Sequence, residues 1–284
     1  MRLALYVTCL VDLMRPAIGF ASLRLLENAG CEVVVPAGQT CCGQPAWSAG
    51  NRALASDLAK KAIAELEGYD HVVIPSGSCA DQLRNVYPQL LADDPAWAAR
   101  AQAVAGRSYE LSCFLSEVLA LENVPGEFAG SVTYHDSCKG LRGLDIKAQP
   151  RALLGKVRGL ALAEMKNCEE CCGFGGAFAV RFGEISTAIV DRKCEAIAAA
   201  GADAVTAVVI EDHSAMELDG PIGGRIIGGP QPQRLGVRSS HGEGRVIVRA
   251  IVVQKRSARV EVRGDERRGI ACGKMGDRRD VRRR

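Results

Sequence analysis

The sequence predicts an α/β protein: two pseudo-repeated, Rossmann-like parallel-sheet units, each carrying a Cys-Cys-Gly motif, followed by an irregular basic C-terminal tail. Three observations predict it. Short β-branched runs alternate with amphipathic helical stretches, the pattern of a parallel sheet with helices on its faces. The Cys-Cys-Gly triplet occurs twice, at 41–43 and 171–173, 130 residues apart, and the leading cysteines Cys9 and Cys138 stand 129 apart. Residues 225–284 hold 17 Lys/Arg against 6 Asp/Glu, whereas residues 1–224 hold 19 against 27. A net charge of +3 therefore describes neither part.

The elements follow in order. Leu3–Thr8 is an apolar run, read as a buried strand that ends at Cys9. Pro16–Asn28 carries Ile18, Leu23, Leu25 and Leu26 at helical spacing and stops before Gly30. Cys31–Val35 is a second β-branched run, closed by Pro36 and followed by the loop Gly38–Gly43. Asn51–Leu66 is amphipathic and ends at Gly68; His71–Ile74 is a third strand, closed by Pro75. Helices are predicted at Ala80–Leu91 and Ser112–Ala120, and Glu122–Gly130, with Pro125 and two glycines, reads as a linker. The pattern then restarts. Ser131–His135 is a strand, Ala148–Val157 helical, Leu160–Glu164 strand-like, Glu184–Ala199 helical and Ala204–Ile210 a closing strand. The predicted domains are 1–124, 129–220 and a tail, 221–284, in which Arg and Gly dominate and no helical period survives. That tail reads as disordered polypeptide, or as an end foreign to the rest, before it reads as a nucleic-acid arm.

Composition excludes several classes. With 48% apolar and 24% charged residues the chain can build a core. Aromatics at 5% argue against a stacking platform for single-stranded nucleic acid. No apolar run approaches the roughly 20 residues of a membrane span. The N-terminus has no signal-peptide pattern, so the expected compartment is the cytoplasm. Reduced thiols are the rule there, and 12 cysteines with two adjacent pairs point to metal or redox chemistry before disulfides.

In the first half, 31 residues separate Cys9 from Cys41-Cys42, and 36 separate Cys42 from Cys79. Each position falls at the C-terminal end of a predicted strand or on the loop after it, the edge where ligands gather in open parallel sheets. Four thiolates there suit zinc or an iron–sulfur cluster. Adjacent cysteines can face one centre only in a turn, and Gly43 gives that turn its freedom. In the second half, 32 residues separate Cys138 from Cys171-Cys172, and Gly173-Phe-Gly-Gly176 follows. A fourth thiol is absent. Spacing puts it near Val208 or Val209, and aligning Val72–Ile74 with Val208–Ile210 puts it at Ala215. Cys168, three residues before Cys171, and His213 are substitutes to consider. Cys31, Cys113 and Cys194 have no partners at ligand spacing and read as filler; Cys272 falls in the tail. His135 with Asp136 reads as a strand-end pair that could tune a neighbouring sulfur, and His71 as a half-buried strand residue. The glycine run lacks a full nucleotide-loop pattern.

The pattern Cys–x31–Cys-Cys-Gly, repeated as Cys–x32–Cys-Cys-Gly-Phe-Gly-Gly, resembles the cysteine-rich CCG-domain family over residues 1 to about 206. That family occurs in iron–sulfur subunits of lactate-utilising, glycolate-oxidising and heterodisulfide-reducing systems. The resemblance implies a [4Fe-4S]-type cluster, with a second in the other half. Its ligands would be Cys9, Cys41, Cys42 and Cys79, then Cys138, Cys171 and Cys172. It implies an oxidoreductase subunit that transfers electrons in a cytoplasmic complex oxidising L-lactate to pyruvate. Its partners would be the other subunits and a small 2-hydroxy acid, with no nucleic acid and no membrane span. Glycolate or a heterodisulfide is the alternative substrate, and a non-catalytic four-cysteine zinc protein the alternative class. Two departures stand out: Cys79-Ala-Asp-Gln82 lacks the fifth thiol that some members carry, and the second motif lacks its closing cysteine.

Overall fold

The computed structural model describes residues 1–207. Residues 208–210 of the predicted closing strand, Ala215, His213, Cys272 and the tail 221–284 lie outside them.

Four short strands, β1 (Arg2–Leu5), β2 (Glu32–Val34), β3 (His71–Ile74) and β4 (Ser108–Glu110), form one sheet in the order β2-β1-β3-β4. All pairs are parallel, with Leu3 opposite both Val33 and His71, and Val73 opposite Tyr109. Alternation splits the strands cleanly, since successive side chains point to opposite faces. Ala4, Tyr6, Val72 and Ile74 pack against α4 (Arg52–Leu66), through Ala59, Ala62, Ile63 and Leu66, and against α7 (Ala98–Gly106). Leu3, Leu5, Val7 and Val73 pack on the other face against Leu26 of α2 (Pro16–Asn28), Val11 of α1 (Cys9–Met14) and Phe114. Burial on both faces is why β1 and β3 read as continuous apolar runs.

The helix of Cys79 is compound. It runs from α5 (Gly77–Asp81) through a π-helical turn at Gln82–Val86 into α6 (Tyr87–Leu90). Pro88, which has no N–H to give, is the second residue of α6. The predicted helix at 112–120 is likewise α8 (Leu111–Cys113) continued as a π-helical turn, Phe114–Val118.

The second sheet holds β5 (Glu127–His135), β6 (Arg158–Leu162) and β7 (Ala204–Ala207) in the order β6-β5-β7, again parallel. β5 begins at Glu127, inside the stretch whose Pro and Gly content predicted a linker; pairing with Arg158 draws it into the sheet across a bulge before Gly130. One face packs Val132, Tyr134 and Ala204 on Leu154 of α10 (Ala148–Leu154). Short helices unannounced by the sequence are α3 (Gln44–Ser48), α9 (Cys138–Leu144) and α11 (Ala177–Arg181); α12 is Gly183–Ala199.

The two units touch through their helices. The Cα of Gly77 in α5 sits so near α9 that a Cβ there would lie 3.2 Å from the Gly140 backbone. Beside it Lys139 Nζ is 2.8 Å from Asp81 Oδ2, and Asn85 Nδ2 donates to Asp81 Oδ1 at 2.8 Å and to Gly143 O at 2.7 Å. Gln149 of α10 donates to Glu117 at 2.7 Å. The helices that follow Cys79 and Cys138 are thus held side by side.

Candidate functional site

Both sets of cysteines occupy the C-terminal ends of their sheets. In the first sheet the chain leaves β1 for β2 on one side and later returns to β3 on the other. The crevice beyond β1 and β3 is therefore a topological switch point. Cys9 opens α1 directly after β1, Cys41-Cys42 lies between β2 and α3, and Cys79 sits in α5 after β3. The second sheet repeats the arrangement: Cys138 opens α9 after β5, and Cys168, Cys171 and Cys172 follow β6. The position expected for a counterpart of Cys79 lies after β7, outside the described residues, and holds no cysteine.

In the first half the structure brings all four predicted thiols together. Cys42 donates to Cys79, Sγ to Sγ at 3.2 Å, and Cys41 is hydrogen-bonded to both Cys42 and Cys9. Hydrogen bonds from Cys42 and then Cys9 hold the Cys41 thiol down to about 3. Cys9 and Cys42 are displaced upward, each first by its hydrogen bond to Cys41. One proton is thus easily lost from the set. None of the described cysteines is in a disulfide.

Buried polar groups fix the loop that carries the adjacent pair. Gln39 lies alongside the end of β1, its Oε1 accepting from Val7 N and its Nε2 donating to Leu5 O, both at 2.8 Å. Tyr6 Oη donates to Thr40 O at 2.6 Å and Tyr87 Oη to Cys42 O at 2.9 Å. Gly43 takes φ +84°, the left-handed turn expected of it. Thr8, next to Cys9, has φ +72°, an uncommon conformation for a β-branched residue and one that clusters at functional sites.

The cysteines of the second half are more exposed. Cys171 is exposed and its Sγ accepts from Gly173 N at 3.3 Å; Cys138, Cys168 and Cys172 are half-buried. The backbone of Cys168 is pinned: Asp136 N donates to its carbonyl at 3.1 Å, and His135 Nδ1 lies 3.1 Å from it. Its Sγ lies 3.9 Å from Arg151, which grips Asp136 in a bidentate pair at 2.8 and 2.9 Å. His135 is buried, and its Nε2 meets no hydrogen-bond partner among the described residues. Burial, then the Lys193 charge, lowers its pKa. Gly173, at φ +89°, lies directly beneath α12: a Cβ there would come 2.6 Å from Ser186 O. Ser186 Oγ donates back to Gly173 O at 2.8 Å.

Among the described residues no three His, Cys, Asp or Glu side chains are spread as a finished metal shell. The first-half thiols instead touch one another. A reduced, four-thiol set at a sheet's switch point still has the donor chemistry of a thiolate-held centre, which soft metals and iron–sulfur clusters select. Residues outside the ligand pattern behave as filler, with Cys31 and Cys113 buried and Cys194 exposed. Burial pushes the Cys113 thiol up to about 12. His71 packs edge-on to Tyr109, ring centres 5.6 Å apart. Sequence reasoning missed Tyr6, Gln39, Tyr87, Arg151 and Lys193, whose roles arise from contacts distant in the chain. No described helix is long and apolar enough to cross a membrane.

The cysteine-rich domain family CCG matches residues 3–84 and 132–210. Lactate utilization protein A of Bacillus cytotoxicus is 43% identical over 203 residues, covering 72% of this chain and 84% of that protein. The protein of the same name from a Geobacillus species is 44% identical over 203 residues, 72% of this chain and 85% of its own. That from an Exiguobacterium species is 44% identical over 202 residues, 70% and 82% respectively.

Proposed function

The chain belongs to the cysteine-rich CCG-domain family, and on that premise we propose that it is an iron–sulfur electron-transfer subunit of a cytoplasmic system that oxidises L-lactate to pyruvate. The observation that carries this reading is the unbroken thiol chain Cys9–Cys41–Cys42–Cys79 at the switch point of the first sheet. These four would hold a [4Fe-4S]-type cluster, and Cys138, Cys171 and Cys172 would supply ligands to a second. When bound, such a group supplies electron transfer at a potential set by burial and by hydrogen bonds to its sulfurs.

The chain's own residues do the rest. Tyr6, Tyr87 and Gln39 hold the Cys41-Cys42 loop in place before any ligand arrives. The Gly173 N–H is aimed at the Cys171 sulfur and orients it. The α5–α9 contact keeps the helices of Cys79 and Cys138 adjacent, giving electrons a short route between the two sites. The names of the relatives support lactate as the substrate, handled together with partner subunits.

A genetic experiment tests this reading. Deleting the gene is expected to abolish growth of the source organism on L-lactate and to spare growth on pyruvate. The wild-type gene should restore it and Cys42→Ser should not. Undiminished growth of the deletion strain on lactate contradicts the reading.

A further inference from the structure

Within the first cysteine set one pair stands apart. Cys42 and Cys79, 37 positions apart in the chain, are free thiols whose sulfurs lie 3.2 Å from each other. One apolar cluster walls both. Cys42 belongs to it with Tyr6, Ala80, Leu83 and Tyr87, and Cys79 packs against it. Tyr87 Oη holds the Cys42 carbonyl at 2.9 Å, and Cys79 sits within α5, so both backbones are anchored. A disulfide has a sulfur separation of about 2.05 Å, which leaves the pair roughly 1 Å to close. Cys41 and Cys42 compete poorly, although they are neighbours. Consecutive Cα atoms stand about 3.8 Å apart across a trans peptide, short of the roughly 4.4–6.8 Å that a disulfide spans. Exposure divides the roles within the pair. Cys42 is 2% exposed, whereas Cys79 is half-buried and open to a small solute.

We propose that Cys42 and Cys79 are a reversible thiol–disulfide pair: a hydroperoxide joins them, and the bond closes the first site to metal. The step balances. The Cys79 thiolate attacks one oxygen of the hydroperoxide, the O–O bond breaks, and an alcohol leaves, or water from hydrogen peroxide. Cys79 is then a sulfenic acid. The Cys42 sulfur attacks the Cys79 sulfur, the S–O bond breaks and water leaves. Two thiols lose two electrons and two protons, and the hydroperoxide takes them up. A dithiol or phosphine reductant reverses the bond. With Cys42 already at 3.2 Å, closure outruns further oxidation of the sulfenic acid. The bond consumes two of the four thiols and leaves Cys9 and Cys41, too few for a closed thiolate site. The disulfide itself needs no metal. The closure to metal rests on the reading of the four thiols as ligands.

The test treats the full-length protein, stripped of metal with a chelator under argon, with a small excess of hydrogen peroxide. Catalase ends the reaction and iodoacetamide blocks the thiols left over. Tandem mass spectrometry of the unreduced digest, with fragment ions that separate Cys41 from Cys42, maps the links. A Cys42–Cys79 link is expected as the main product, and a phosphine reductant should remove it. Cys41→Ser should keep the link and Cys42→Ser should lose it. A main product that joins Cys9 or Cys41 to any partner overturns the proposal, as does Cys79 found as sulfinic acid without a link. Closure is read with zinc ions as the probe. Zinc should protect Cys9 from iodoacetamide in the reduced protein, about tenfold less in the oxidised one, and fully again after phosphine treatment. Equal protection before and after oxidation overturns the closure. No protection in the reduced protein overturns the ligand reading and the closure with it, while the link map judges the disulfide by itself.

Discussion

Glu110 is the clearest residue-scale case of chemistry set by burial. Its Oε2 caps α8, accepting from Ser112 N at 2.8 Å and Cys113 N at 3.3 Å, yet the carboxyl is enclosed. Burial outweighs those hydrogen bonds and raises its pKa from the ordinary 4.5 to about 7. A raised folded-state value means that Glu110 favours folding most below pH 4.5, and that this contribution is lost as the pH rises through 7. The loss is about 3 kcal/mol. Glu110→Gln keeps an acceptor but cannot ionise. Urea unfolding from about pH 5 to about pH 8 should therefore show a falling stability in wild type and a flatter profile in the variant. Parallel profiles contradict the assignment. At this scale the gathering of cysteines at the sheet edges was legible because two spacings repeat. Tyr6, Gln39 and Tyr87 were not. Tyr87 reaches Cys42 across 45 positions and Gln39 reaches β1 across 32 to 34. No local pattern encodes such contacts.

At the scale of elements, long periodic segments were readable and short ones were not. Pro16–Asn28 and His71–Ile74 appear with the predicted bounds, because a proline start, an apolar face and a closing proline are local signals. The six-residue α1 and the seven-residue α9, with two glycines inside it, are too short to show a period. β4 is three residues, Ser-Tyr-Glu, and exists because β3 offers it an edge. The glycines of α9 have a packing reason, since they let α5 approach. Gly77→Ala would place a Cβ 3.2 Å from the backbone of Gly140, so α5 and α9 would have to part by a few tenths of an ångström. The expected cost is about 1–3 kcal/mol, seen as a lower unfolding midpoint. Cys79 would shift with α5, so iron retention should fall too. Unchanged stability and iron content would mean that the α5–α9 contact does not position the site.

Among the described residues, two sheets place equivalent cysteines at equivalent edges. The fold class was legible because a duplication states the same pattern twice. The units differ in enclosure. The first sheet is buried on both faces by large apolar clusters, whereas the second has a small core, and Phe182 and Ile185 at its α11–α12 corner are exposed. What completes the second site was not legible, because neither way of aligning the two halves puts a cysteine at the position matching Cys79. The account's central claim is that the first-half thiols are ligands to an iron–sulfur centre. Iron, acid-labile sulfide and zinc counted per chain in anaerobically purified wild type and Cys41→Ser test it most directly. The account predicts iron and sulfide in equal amounts in wild type, with about four of each lost in Cys41→Ser. Zinc without sulfide in the wild type, or an iron content untouched by Cys41→Ser, would contradict it.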